Sequence, residues 1–315
     1  ARICAPLLPF YLRRRAARGR ELAERLDERR GGSAARPSGP LLWMHAASVG
    51  ETLSILPLLE ALFSRRPDLN VLLTTGTVTA ATLLDKRLPD ALRTRTRHRF
   101  VPLDVPGWAA RFLDDWRPDA AVFVESELWP NLLGAARARR LPMALVNARM
   151  SPRSARAWAL APGLAREVLG SFRLVLAQSG EDAVRLLRLG APAGTTRAAG
   201  NLKYAAPPLP ADAGELARLR GLLDDRPVLL AASTHAGEEA VVAAAHALLA
   251  AELPGLLTVI APRHPERGEA LARALAASPD RSPPRRALGQ DPPRGGGLFL
   301  ADTLGELGLF YRLAG

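Results

Sequence analysis

Cysteine occurs once in this 315-residue chain, at Cys4. A lone thiol forms no internal disulfide and seeds no zinc cluster, and it fits a reducing, cytosolic setting. Apolar runs stay well short of the roughly 18 residues that a helix needs to span a bilayer, so no segment reads as a transmembrane helix. Aromatic side chains make up only 5% of the chain, which speaks against the stacking surfaces that hold single-stranded nucleic acid. Neither a glycine-rich dinucleotide fingerprint nor a Walker motif occurs, and the five histidines show no metal-ligand spacing. NAD, ATP and a catalytic metal are therefore all poorly supported. What is present is 48% hydrophobic and 23% charged, the balance of a globular protein long enough for two domains.

Lysine is almost missing as well: among 43 basic residues only Lys86 and Lys203 are lysine. With heavy alanine use, that skew reads as genome base composition. The net charge of +12 is nevertheless unevenly placed, because residues 1–40 hold ten arginines against Glu21, Glu24, Asp27 and Glu28. The first arginines flank an apolar run, Ile3 to Leu12. Two readings stay open, a solvated charged helix and a basic collar at the cytoplasmic face of a bilayer, where cationic groups gather at anionic lipid.

From Leu41 to about Gly200 a short β-favouring run, a turn and an alanine- and leucine-rich helical stretch repeat, the pattern of βα units around a parallel sheet. Strands are predicted at 41–45, 71–75, 100–103, 120–124, 143–147 and 174–177, and helices at 52–64, 78–86, 109–116, 128–139, 154–169 and 181–189. Three prolines in Tyr204–Pro210 mark a hinge near Pro207. A second series follows, with strands at 228–232, 257–261 and 298–301 and helices at 237–251, 266–277 and 303–313. The Pro-, Arg- and Gly-rich stretch Ser278–Gly297 reads as a mobile surface loop. In open sheets of this kind ligands bind at the carboxyl ends of the strands.

Polar residues gather at those ends. His45-Ala46-Ala47-Ser48-Val49-Gly50-Glu51 runs from a strand through small residues into a helix start, which suits either an anion site or a first-turn dipole partner. Glu125 and Glu127 follow directly on a strand, as catalytic carboxylates or as a helix cap. Lys203 is either a surface lysine at the hinge or a functional point charge. In the second half Ser233-Thr234-His235, Pro262-Arg263-His264 and Asp302-Thr303-Leu304-Gly305-Glu306 all follow strands and offer groups suited to a nucleotide.

Taken together with Glu125-Ser126-Glu127-Leu128-Trp129-Pro130-Asn131, Asn147-Ala148-Arg149 and Gly200-Asn201-Leu202-Lys203, these blocks, in this order over residues 41–313, resemble the 3-deoxy-D-manno-octulosonic acid (Kdo) transferases. The resemblance implies an α/β fold of two Rossmann-like domains facing a cleft, the GT-B glycosyltransferase type. Residues 1–40 would be a basic membrane-proximal segment, 41–203 the acceptor domain, and 204–315 an incomplete CMP-sugar donor domain truncated at Gly315. It further implies an inverting glycosyltransferase that moves Kdo from CMP-Kdo to a lipid A precursor (lipid IVA) at the cytoplasmic face of the inner membrane, with no cofactor or metal and no nucleic-acid partner. Glu51 would be the general base, and Glu125 and Lys203 would stabilise the transition state. CMP would lie against Pro262 and Arg263 and against Leu304, Gly305 and Glu306. The family's membrane-embedded amino terminus and a later glycine-rich, Asn-Pro-Leu-Glu segment are not found in these residues, so a fragment is expected. The alternative is another GT-B glycosyltransferase or a nucleotide-sugar epimerase with a different donor. A nucleic-acid binder rests only on the net charge.

Overall fold

The computed structural model describes residues 7–32, 35–205, 208–276 and 282–314. Cys4, the start of the leading apolar run and Pro207 lie outside them. The chain divides into two compact units, Ala1–Ala206 and Pro207–Gly315.

The first unit carries strands β1 (Leu41–His45), β2 (Asn70–Thr75), β3 (Thr96–Phe100), β4 (Ala120–Val124), β5 (Met143–Ala148), β6 (Leu174–Ala177) and β7 (Thr196–Ala198). They form one parallel sheet in the order β3-β2-β1-β4-β5-β6-β7. The order reverses between β1 and β4, and a crevice opens at the carboxyl ends of strands where the winding switches direction. Both faces are covered. Trp43, Phe112, Phe123 and Leu145 belong to one core, and Met44, Ile55, Leu59 and Leu73 belong to the other. Alternate residues of β1 thus serve opposite faces, as the pleat requires.

The second unit has β8 (Val228–Thr234), β9 (Leu257–Pro262) and β10 (Gly297–Leu300), parallel in the order β10-β9-β8. The central strand β9 is buried along its whole length. Helices Ala213–Leu223 and Leu307–Leu313 contribute Leu223 and Phe310 to the core on one face, and Leu271 and Ala272 of helix Gly268–Ala274 lie on the other.

Several predicted elements move. The third strand lies at Thr96–Phe100, not 100–103, because Pro102 has no N–H for the ladder and Leu103 N–H bonds to Arg29 O instead. Its basic sequence is permitted at a sheet edge, where only one neighbour must be satisfied. The predicted helix 154–169 is two helices, Pro152–Ala159 and Pro162–Leu169, since Pro162 opens a new first turn. Helix Ala213–Leu223, capped by Asp212 accepting from Glu215 N–H, follows the proline-rich stretch, where no helix is predicted from sequence. The described part of the predicted mobile loop is pinned. Leu300 N–H bonds to Pro284 O, and Arg285 and Arg286 are ion-paired to Asp302 and Glu306.

The amino-terminal arginines are not all solvated. Arg29 is buried against Glu21 at 2.9 Å and donates to Val101 O and Gly76 O, while Arg25 stacks 4.5 Å from the Phe100 ring centroid. Glu28 accepts from Phe100 N–H at 2.7 Å. This segment covers the β3 edge, which would otherwise be open to pairing with another strand.

Candidate active site

Strand β1 ends at His45, and the chain turns through Ala46 and Ala47 to Ser48, the N-cap of helix Val49–Arg65. Glu51 lies three residues past the cap and bonds reciprocally with the cap side chain and the backbone before it. Its N–H donates to Ser48 Oγ at 3.3 Å, and its carboxylate accepts from Ser48 Oγ at 2.7 Å and from Ala47 N–H at 2.8 Å. The first-turn role that the sequence leaves open is therefore real, and Glu51 is also buried, only 7% exposed. Burial raises its proton affinity, and the negative charges of Glu127 and Glu125 add to that. The Ser48 and Ala47 hydrogen bonds oppose it without cancelling it, so the carboxyl titrates above the ordinary glutamate range.

Across the switch point, β4 ends at Val124 and Glu125 adopts φ 57°, in the left-handed region. A glutamate held there is strained, a condition that persists where surrounding structure fixes it and that clusters at functional sites. Glu125 Oε1 lies 3.6 Å from Lys203 Nζ. Lys203 in turn comes within 3.8 Å of where a Cβ on Gly50 would stand, beside the first turn that bears Glu51. The three residues singled out from the sequence thus converge in one unit, although Lys203 lies far along the chain from Glu51.

Two further neighbours, Glu127 and Asn147, hold this arrangement. Glu127 accepts from Trp129 Nε1 at 2.7 Å and lies 3.3 Å from Nε2 of the fully buried His45. Burial works against its charge, but His45 and Trp129 outweigh that and keep it below the usual carboxylate range. Asn147, at φ 52°, accepts from Leu202 N–H at 3.0 Å and so fixes the single turn Leu202–Ala205 that presents Lys203. The Asn147-Ala148-Arg149 block was visible in the sequence; its link to Lys203 needed the fold, because the two positions meet only in space.

In the second unit, Pro262 ends β9 and is buried, while Arg263 is exposed with no carboxylate partner among the described residues. The neighbouring strand β10 leads into Asp302–Glu306, where Leu304 is 85% exposed and Gly305 takes φ 88°. Glu306 accepts from Arg286 and Thr303, and these bonds hold it below the ordinary range. Beside β9, Ser233 is left-handed at φ 59°, and Thr234 and Arg267 hold the buried Glu239. Glu239 is thereby a structural member of its block. Arg263 and the Leu304–Glu306 loop follow adjacent strands at the same end of one sheet, where a mixed polar and apolar ligand has both a cation and acceptors to meet.

The family profile described as 3-deoxy-D-manno-octulosonic-acid transferase (Kdo transferase) matches residues 24–206. The probable 3-deoxy-D-manno-octulosonic acid transferase, mitochondrial, of Arabidopsis thaliana is 35% identical over 98% of this chain and 70% of its own length. The 3-deoxy-D-manno-octulosonic acid transferases of Bordetella pertussis and Haemophilus influenzae are 38% and 32% identical, over 98% and 99% of this chain and 73% of each relative. In fold, the chain is similar to UDP-GlcNAc 2-epimerase from Neisseria meningitidis, with a TM-score of 0.55 at 13% identity, covering 86% of this chain and 74% of that one. That likeness supports the α/β class of two parallel-sheet units and speaks to the fold alone. With the family profile on more than half of the residues and relatives matched along nearly the whole chain, this protein belongs to the 3-deoxy-D-manno-octulosonic acid transferase family of glycosyltransferases.

Proposed function

We propose that the protein transfers Kdo from CMP-Kdo to a sugar hydroxyl of a lipid A precursor by an inverting displacement, with Glu51 as general base. The observation that carries this is the state of Glu51, a buried carboxylate with raised proton affinity at the sheet's switch point. An acceptor hydroxyl must lose its proton as its oxygen attacks the anomeric carbon, and a base with proton affinity nearer the working pH takes it more effectively. The attack comes from the face opposite the leaving CMP, so the base and the leaving-group site belong on opposite sides of the sugar. Lys203, beside Glu125, supplies a positive charge to the donor's carboxylate or phosphate, and Glu125 orients that ammonium while offsetting positive charge at the reacting carbon.

CMP in this reading lies against Pro262, Arg263, Leu304, Gly305 and Glu306. Arg263 offers a guanidinium to the phosphate, and the Gly305 backbone, bare of a side chain, admits close approach. CMP is already a good leaving group, so side-chain and backbone donors suffice for its departure. The basic amino-terminal segment would rest on anionic lipid at the cytoplasmic face of the inner membrane. Its helix Leu8–Ala16 exposes Phe10 and Tyr11 and carries Arg13, Arg14 and Arg15 in its last turn. No helix among the described residues is long and apolar enough to cross a membrane.

The test is incubation with CMP-Kdo and a tetra-acylated lipid A precursor, with product mass followed for the wild type and for Glu51→Gln. Mass gains in Kdo units that the variant loses support donor, acceptor and base together. CMP binding without any product in the wild type overturns the acceptor assignment, and a Glu51→Gln variant as fast as the wild type overturns the base.

A further inference from the structure

Both oxygens of Glu306 are already held from within the second unit. Oε1 accepts from Arg286 Nη2 at 2.6 Å and Nε at 3.2 Å, and Oε2 accepts from Arg286 Nε at 3.1 Å and Thr303 Oγ1 at 2.5 Å. Arg286 also donates through Nη1 to Glu215 Oε1 at 2.6 Å, on the first turn of helix Ala213–Leu223. Its side chain is only 15% exposed, so this is not a fully solvated surface pair. One residue earlier, Arg285 Nε donates to Asp302 Oδ2, and Ala287 N–H donates to Asp302 Oδ1. The turn 285–287 therefore grips both ends of the irregular loop Asp302–Glu306, at the carboxyl end of β10.

We propose that Arg286 is the positioning residue that holds Glu306 in the orientation in which it meets the nucleotide, with Glu215 anchoring Arg286 to the helix behind it. This rests on the nucleotide reading given above and extends it to a residue outside the matched blocks. The planar fork of arginine fixes a carboxylate in two directions at once, which a lysine ammonium does not. Held ionised, Glu306 is an acceptor only, so it repels the phosphate and takes a hydroxyl or amino donor of the nucleoside. The phosphate is left to Arg263, the exposed cation on the neighbouring strand's loop.

The test is calorimetric titration of the protein with CMP, for the wild type and for Glu306→Gln, Arg286→Met, Arg286→Lys and Glu215→Gln, at about pH 7.5 and about pH 5. Loss of a charge-assisted contact predicts at least about a tenfold weaker CMP affinity for Arg286→Met, a smaller loss for Arg286→Lys, and the smallest for Glu215→Gln. The ratio of Arg286→Met to wild-type Kd should also grow on going to pH 5. Without its cation Glu306 has, among the described residues, Glu215 as its charged neighbour, which Arg218 holds while also pairing with Asp291, so its proton affinity rises. Taking the ratio cancels the titration of the CMP phosphate. A role confined to folding would lower the melting temperature without moving this ratio.

Wild-type affinity and pH ratio in Arg286→Met overturn the proposal while leaving the nucleotide reading intact. Wild-type affinity in Glu306→Gln, or no CMP binding by the wild type, overturns the nucleotide reading and the proposal with it. Should Arg286→Met fail to fold by circular dichroism, Arg286→Lys and Glu215→Gln decide, and unchanged affinity in both overturns the proposal.

Discussion

The buried carboxylate Glu51 of the first unit and Glu306 on the Asp302–Glu306 loop of the second are held by different physics. Glu51 is buried between a strand end and a helix start, under a sheet of seven strands covered on both faces, and its proton affinity rises. Glu306 is partly exposed on a loop beside a sheet of three strands, its charge secured by an arginine and a hydroxyl. Burial beneath helix and strand raises the proton affinity of a carboxylate, whereas an arginine and a hydroxyl on a partly exposed loop keep one ionised. The contrast extends to the helices. In Val49–Arg65 the buried positions include Ile55, Leu59 and Phe63, whereas Glu238–Glu252 buries only Glu239 and leaves Val241 70% and Leu248 76% exposed.

Five predictions sharpen or break this contrast. Glu51→Gln should lower kcat by about 10²–10⁴-fold with the fold intact by circular dichroism, the range for loss of a positioned general base. In the wild type, the acid limb of the kcat/KM profile, which reports the free enzyme, should fall at a pH above the ordinary glutamate range, because burial raises the Glu51 carboxyl; a limb at or below that range would separate burial from function.

Arg29→Met leaves Glu21 buried beside the more exposed Arg15 alone. Denaturant unfolding of the first unit should show a loss of about 3–5 kcal/mol, as for other broken buried pairs. A loss under about 1 kcal/mol would mean that the segment covering β3 is not integral to this unit.

His98 gives the same segment a pH signature. Burial, then the nearby Arg25, Arg99 and Arg29 charges, lower its pKa to about 3. The unfolded chain takes up this proton first, near pH 6.5, so the stabilisation is complete above that and is lost as pH falls toward about 3. Replacing His98 by Gln should flatten stability against pH across that window, and an unaltered slope would show that His98 does not carry it.

The smallest effect is expected at Val241→Glu, within about 0.5 kcal/mol as for exposed sites, against about 2–5 kcal/mol for Leu59→Ala in the first unit. A loss above about 2 kcal/mol at Val241 would mean that this helix face is covered in solution and that the contrast between the helices is only apparent.

The elements most legible in the sequence are those with strong local signals. β1, β4 and β6 fall where their apolar runs predict, with Glu51 in the first turn of the helix after β1 and Glu125 on the turn after β4. Edge strands were not legible. β7 is the short polar segment Thr-Arg-Ala, and β3 reads Thr-Arg-His-Arg-Phe; a strand with a single ladder neighbour has less need of an apolar run. Nor was the turn 285–287, whose proline- and glycine-rich setting resembles a free loop until Asp302 and Glu306 are brought beside it.

By itself, then, the sequence determined the order of most βα units and which polar residues follow which strands, because these depend on periodicity and on proline and glycine over a few positions. Only the tertiary structure decided that Lys203 stands beside Glu125, that Asn147 holds the turn presenting it, and that Arg286 grips Glu306. Those pairings join residues distant along the chain. Their partners are chosen by sheet order and packing, on which local propensity carries no information.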